Sequence, residues 1–488
     1  MHFWLIALGT CVALIISLLK HHFSYWQRKG IQQMSPNLLW GNVQHLKSLN
    51  HREFLQDVYD QFHAPTKVVG AYVYGKPVAV ILDLDMIKSV LIKDFNKFTS
   101  RMAYRNDKDI LSQHLFNIEG TLWRPLRQKF SPTFTSGKMK YMFATIKAVA
   151  DEFAETFRRQ LEMTNLLDIC DLNSRFTIDV IGSSIFGFEC NSLNNPSAEF
   201  RQITRMIFGR KNFNIRWQLF KHTYVRFMKF LGHKRYPQMV EDFFRRVVRE
   251  GIVEREKHNI VRNDFVNLVL QLRKSGDMNL SFDQIAAQFF VFFSAGYETS
   301  ATTMTCVLYE LARHKEIQNK LRQEIQEILE KHDNNLTYEA VMEMKFLEAV
   351  IKETLRLYTP VPFLQRVATE QATLDNITFE KGTEVYIPSW AIHHDPNIYH
   401  NPNEFCPERF TALHEDQRHP QSFLAFGDGP RNCIGLRFGS LQSKVGLISL
   451  LSKFKFSHVP ETCKEIVFSK HSIILTVSNE VMLKVEKL

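Results

Sequence analysis

The chain predicts a mainly α-helical protein with small β-sheets and a long central helix, preceded by a single N-terminal membrane span. Three observations carry this expectation. Helical patterning fills most of the middle of the chain, an apolar stretch at 285–308 opens on a capping sequence, and period-two alternation is confined to short segments towards the two ends. Of 488 residues, 45% are hydrophobic, enough for one large core or two to three ordinary domains.

Residues 3–19 form an uncharged run of 17 rich in Leu, Ile, Ala and Val, the short end of the range for a membrane span. A cleaved signal peptide is the rival reading. No Lys or Arg precedes the run, however, and Lys20, His21, His22, Arg28 and Lys29 come directly after it. That pattern favours an uncleaved anchor with the remainder on the cytoplasmic side. Residues 1–20 are thus expected to anchor and 21–42 to form a linker with a single proline, Pro36.

Segments 68–74 and 78–82 flank Gly75-Lys76 and read as a β-hairpin. Trp123 and Arg127, four residues apart, share one helix face. Residues 201–240 hold six Arg, four Lys and no Asp or Glu, a charge equal to the whole chain's excess of +10. Phe208, Phe213, Trp217, Phe220, Phe227, Phe230 and Leu231 are interleaved. Basic residues among aromatics occur in nucleic-acid binders and on plain solvated helices. Beside an N-terminal anchor, contact with an anionic bilayer surface is the better reading.

Ser281-Phe282-Asp283-Gln284 has the form of a capping box, opening a helix expected to continue to Arg313. Gln288, Glu298 and Thr299 inside it would burden a second membrane span, which favours a buried central helix. Gly296 in mid-helix costs roughly 1 kcal/mol relative to Ala. Small residues there would let a ligand lie on the backbone, and Thr299, three residues on, faces the same side. Helix packing with a back-bonded threonine explains the same pattern without a ligand. Glu353 and Arg356, spaced by three, would ordinarily be a surface ion pair. Val361-Pro362-Phe363 and Arg366 form an extended stretch, and 466–477 with 481–485 alternate like a hairpin.

The seven cysteines (11, 170, 190, 306, 406, 433, 463) are scattered, with no Cys-x-x-Cys, which argues against a zinc site or a disulfide framework. One of them is framed. Phe426-Gly427-Asp428-Gly429-Pro430-Arg431-Asn432-Cys433-Ile434-Gly435 reads as a glycine-rich turn presenting Cys433 at the mouth of a helix over 434–451. Turn amides and a helix N-terminus favour thiolate, the metal-binding form. Arg431 is placed to meet an anionic group on the same ligand.

This frame matches Phe-x-x-Gly-x-Arg-x-Cys-x-Gly, and the chain resembles the cytochrome P-450 family throughout its length. Ala295-Gly296-Tyr297-Glu298-Thr299-Ser300, Glu353-Thr354-Leu355-Arg356, Pro407-Glu408-Arg409-Phe410 and the Trp123/Arg127 spacing match its further motifs. Residues 131–138, Ser-Pro-Thr-Phe-Thr-Ser-Gly-Lys, resemble insect members that oxidise plant toxins and insecticides. The resemblance implies the cytochrome P-450 fold, with the central helix over haem and residues 43–488 as the haem-thiolate catalytic domain. It implies haem b with Cys433 as axial ligand, and Arg431, Trp123, Arg127 and Arg366 on the propionates. Phe426 and Gly435 complete the haem frame, and Gly296 lies on the distal side. Thr299 and Glu298 would handle oxygen and protons. Glu353, Arg356 and Arg409 would form a buried structural triad. Phe289, Phe293, Val361, Phe363 and Ile473 are candidates to face a lipophilic substrate.

The implied activity is a monooxygenase in the endoplasmic reticulum membrane, its catalytic domain facing the cytoplasm and nucleic acid no partner. Electrons would come from NADPH through a reductase, with cytochrome b5 as a second candidate donor. A thiolate-haem isomerase or dehydratase and a non-catalytic haem or lipid carrier are the competing classes.

Overall fold

A computed structural model describes residues 2–488 apart from 39, 43–50, 63–64, 102–104, 107, 209–219, 222, 261, 263, 275, 277–279, 412–417, 470–471 and 473. Helices dominate. The N-terminal helix spans His2–His22, and its stretch Phe3–His22 has a mean hydropathy of 2.2 with none of it buried. Its length and composition fit a membrane anchor.

Residues 21–42, expected to be a linker, pack against a sheet. Here β1 (Val68–Val73) and β2 (Lys76–Ile81) form the expected hairpin, turning through Tyr74 at φ +54°. Trp26 is fully buried and donates from Nε1 to the Ala71 carbonyl (3.3 Å). It occupies the space above Gly70, where a Cβ would lie 2.1 Å from the indole Cγ. The Phe23 carbonyl accepts from the Tyr72 hydroxyl (2.9 Å) and from Gln33 Nε2 (2.8 Å). A backbone committed to so many partners is part of the domain rather than a spacer.

Further along, β3 is Leu166–Asp168, β4 Leu364–Val367, β5 Ala372–Leu374, β6 Ile377–Phe379, β7 Glu384–Ile387, β8 Phe454–Ser457 and β9 Met482–Lys487. The largest sheet runs β1-β2-β7-β4, with β2 and β7 parallel and Arg366 of β4 opposite Val385. A second sheet runs β3-β9-β8, and β5 pairs with β6. The expected C-terminal hairpin is therefore redrawn. Residues 482–485 enter β9 between β3 and β8, because Leu483 and Val485 bury alongside Phe454 and Phe456. Among the described residues, 466–477 contributes the isolated bridge Phe468–Val477.

The central helix Phe282–Arg313 begins where expected. Ser281 Oγ accepts from the Gln284 N–H (3.2 Å), and Gln284 Oε1 accepts from the Ser281 N–H (2.9 Å). It is buried along nearly its whole length and packs on Ile169–Ile181, on Gln238–His258 and on Leu436–Leu451, the helix after Cys433. These contacts form the largest of four hydrophobic clusters among the described residues; the second lies around the four-stranded sheet and holds Trp26.

Candidate active site

The turn before Leu436 is built by its glycines. Gly427 and Gly429 adopt φ of +65° and +70°. At Gly429 a Cβ would also sit 1.9 Å from the Leu91 carbonyl oxygen, so no side chain fits. Asp428 accepts from the Gly429 N–H (2.7 Å) and from Gln421 Nε2 (2.6 Å), and the Cys433 N–H donates to the Phe426 carbonyl (2.8 Å). The following helix starts at Leu436 rather than at 434, with Gly435 as its N-cap. The Gly435 N–H lies close enough to the Cys433 sulfur to favour its thiolate.

Cys433 is open to a small molecule yet enclosed by protein, so it faces an interior space. Burial pushes its thiol pKa up, against the pull of the Gly435 N–H, Arg127 and Arg101. Without metal the site thus favours the thiol, and a metal would displace its proton.

Four arginines converge on the same space. Arg431 is buried, stacks its guanidinium over Trp123 at 4.2 Å and donates from Nη2 to the Ile118 carbonyl, while its Nε and Nη1 have no partner. Arg366 on β4 is buried with Nη1 on the Gln365 carbonyl and an unpartnered Nε. Arg127 donates to Asn432 Oδ1 (2.9 Å). Arg101 donates to the Arg431 carbonyl (2.5 Å) and lies over Phe116 at 4.3 Å. Among the described residues none of the four pairs with a carboxylate. Burial lowers the pKa of each, to about 9 for Arg431, about 10 for Arg101 and well below the ordinary range for Arg366, with mutual repulsion adding at those three. Desolvated like charges with spare donors call for a ligand carrying negative charge. Two propionates and a thiolate-bound iron answer that call, so these residues fit haem. Arg101 was missed by the sequence reading because no motif surrounds it; only the fold brings it to Arg431, 330 positions away.

The central helix is buried from Ile285 to Ala312 except at Val291, Ala295, Gly296 and Thr299. Val291, Ala295 and Thr299, spaced by four, form one open stripe. Thr299 Oγ1 donates to the Ala295 carbonyl (2.8 Å), the back-bonded arrangement, and the helix continues unbroken. Gly296 also serves packing: a Cβ there would strike Ile181 Cδ1 at 2.5 Å. Glu298 turns off the stripe into a buried site near Tyr297 and Thr476, and burial raises its carboxyl to about 7. The Thr476 hydroxyl eases that shift from nearby but makes no well-formed hydrogen bond.

The substrate candidates fare differently. Phe289 and Phe293 are buried in an aromatic cluster, Phe289 stacked on Phe186 (4.6 Å) and Phe293 against Phe200 and Phe244. They are core, because a helix apolar on every side gives no hint of which face is open. Phe363 packs on Tyr386 in the sheet core, and Val361 is half-buried with its carbonyl taking the Ser389 hydroxyl. Ile473 lies outside the described residues. The triad is in place: Arg356 chelates both Glu353 oxygens (2.7 and 2.8 Å), and Arg409 Nε reaches Glu353 Oε1 at 3.3 Å.

An enclosed cysteine beside four arginines that pair with no carboxylate among the described residues fits a haem-thiolate protein. The family model described as Cytochrome P450 matches residues 32–485. Cytochrome P450 6a8 of Drosophila melanogaster is 41% identical over 490 residues, 97% of each chain. Cytochrome P450 6a2 of the same fly is 39% identical over the whole of both chains. Cytochrome P450 6A1 of Musca domestica is 40% identical over 99% of this chain and 98% of its own. The chain belongs to the cytochrome P450 family. It is a haem b monooxygenase of the kind found in insects.

Proposed function

We propose that this enzyme oxidises lipophilic small molecules, xenobiotic or hormone- and lipid-like, with electrons from NADPH delivered by a reductase and with cytochrome b5 as a second donor. Residues 1–20 anchor it in the endoplasmic reticulum membrane; 21–42 join that anchor to the catalytic domain of 43–488 while packing on its sheet, and the domain lies on the cytoplasmic side. The observation that carries the reading is the enclosed Cys433 sulfur among four arginines that pair with no carboxylate among the described residues.

Haem, when bound, supplies reductive activation of O₂ and transfer of one oxygen atom to substrate, the other leaving as water. The chain supplies the rest. Cys433 binds iron as thiolate and donates charge to it. Arg101, Arg127, Arg366 and Arg431 hold the propionates, with Trp123 beneath Arg431. Val291 and Ala295, open on the central helix, offer an apolar surface that favours lipophilic substrates over water. Thr299, its own proton on the Ala295 carbonyl, offers lone pairs to water or to a proton donor. Glu298 exchanges protons near neutrality. Phe230 is 84% and Trp40 53% exposed, in keeping with contact at a bilayer surface, while Phe213 and Trp217 lie outside the described residues.

Glu298 yields a pH test. Its folded-state pKa of about 7 lies above the ordinary 4.5, so the folded chain disfavours the charged form. Stability is undiminished below pH 4.5 and falls as pH rises to 7, by about 3 kcal/mol in all. Glu298→Gln therefore matches the parent at pH 4 and is the more stable protein at pH 8 in thermal unfolding of the haem-loaded form. An equal difference at both pH values would remove the assignment.

The function is tested with the full chain in phosphatidylcholine vesicles, with and without an NADPH-dependent reductase. A panel of lipophilic compounds is screened first for spectral binding, then for turnover under isotopically labelled O₂. Product should need reductase and NADPH and carry one labelled atom. Rearrangement of an organic peroxide without NADPH would point instead to the isomerase class, and neither reaction to a carrier.

A further inference from the structure

We propose that Gln442 is a positioning residue for oxygen chemistry, tying the Ala295–Thr299 turn of the central helix to the helix that follows Cys433. The inference rests on the reading of Cys433 and Thr299 given above. Gln442 is fully buried, nine residues after the cysteine. Its Nε2 donates to the Gly296 carbonyl (2.7 Å) and to Ser300 Oγ (2.5 Å), while its Oε1 has no partner among the described residues. An amide with an idle acceptor in an apolar helix interface is a poor choice for packing, and leucine would fill the volume without it.

The neighbours show why the bond reaches. Gly439, Gln442 and Gly446 share one face of their helix. A Cβ at Gly439 would lie 3.7 Å from Ser300 Oγ, and one at Gly446 would strike Met304 Cε at 2.6 Å. Gly446 thus lets the helices approach while Gly439 leaves Ser300 in ordinary contact, and the amide bonds across the gap.

The bonded carbonyl matters more than the bond. Gly296 lies one residue beyond Ala295, whose carbonyl already takes the Thr299 hydroxyl. Two successive carbonyls of one turn each carry an added side-chain donor, an arrangement that tilts carbonyls and sets local helix curvature. Through Gln442, the helix that begins just after the sulfur fixes where Ala295 and Thr299 stand. Without the amide the turn shifts and proton delivery falters.

Substrate-free enzyme reports this directly. Electrons from NADPH reduce O₂ either to peroxide (NADPH + H⁺ + O₂ → NADP⁺ + H₂O₂) or to water (2 NADPH + 2 H⁺ + O₂ → 2 NADP⁺ + 2 H₂O). The second route needs protons placed to break the O–O bond. Gln442→Leu and Ser300→Ala are compared with the parent as haem-loaded full chains with reductase. Three quantities are read: the CO difference spectrum, the ferric spin-state balance and the water-to-peroxide ratio. The expected result is a preserved thiolate-type CO spectrum in both variants, a shifted spin balance and a ratio lowered about fivefold in Gln442→Leu, the weight of one buried hydrogen bond. Ser300→Ala, which keeps the Gly296 contact, should fall between and decides the matter if Gln442→Leu loses haem. An unchanged ratio and spin balance in haem-loaded variants would overturn the proposal. A parent lacking the thiolate spectrum would instead overturn the reading of Cys433 on which it stands.

Discussion

Glu353→Gln lowers the stability of the haem-loaded protein by about 3–5 kcal/mol, the expected penalty for stranding a buried charge. Glu353 and Arg356 are both fully buried, and the carboxylate also accepts from the Cys406 N–H (2.9 Å). Arg356 would keep its bonds to the His393 and Pro402 carbonyls (both 2.7 Å) but lose both charged acceptors. The loss should appear as earlier thermal unfolding and early haem release. Arg409→Ala is the control: its contact is longer and its side chain only partly buried, so about 1 kcal/mol is expected. Equal losses in the two variants would show that the bidentate pair is not the anchor of the 393–409 segment.

Cys433→Ser abolishes monooxygenase turnover and the thiolate-type CO difference spectrum. Serine preserves size and the Phe426 backbone contact, so the turn survives. What disappears is the soft anionic donor, and hydroxyl oxygen at neutral pH does not replace it. The arginines still attract propionates, so the variant should take up haem while showing a CO spectrum of another ligand type. An unaltered spectrum would remove Cys433 as the iron ligand.

Legibility followed sequence distance. The Cys433 turn, the Ser281 capping box and the Glu353–Arg356 pair lie within a few residues of their own partners, and local spacing was enough. Arg101, Gln442 and Trp26 take their meaning from Arg431, Gly296 and Gly70, which no periodicity connects to them. Gly296 was visible as an anomaly but not its cause, since the residue that fills the notch, Ile181, sits on another helix. Phe289 and Phe293 show the same limit in an all-apolar helix, where only neighbours decide which side is open.

The indole of Trp26, seated over Gly70, changes how the enzyme would ride in a bilayer. With Phe23 and Tyr72 bonded on the same sheet, the chain just after the N-terminal helix has no swivel. Tilting that helix in a thicker or thinner membrane would rock the catalytic body with it, so lipid composition would steer the height and angle at which that body sits on the bilayer.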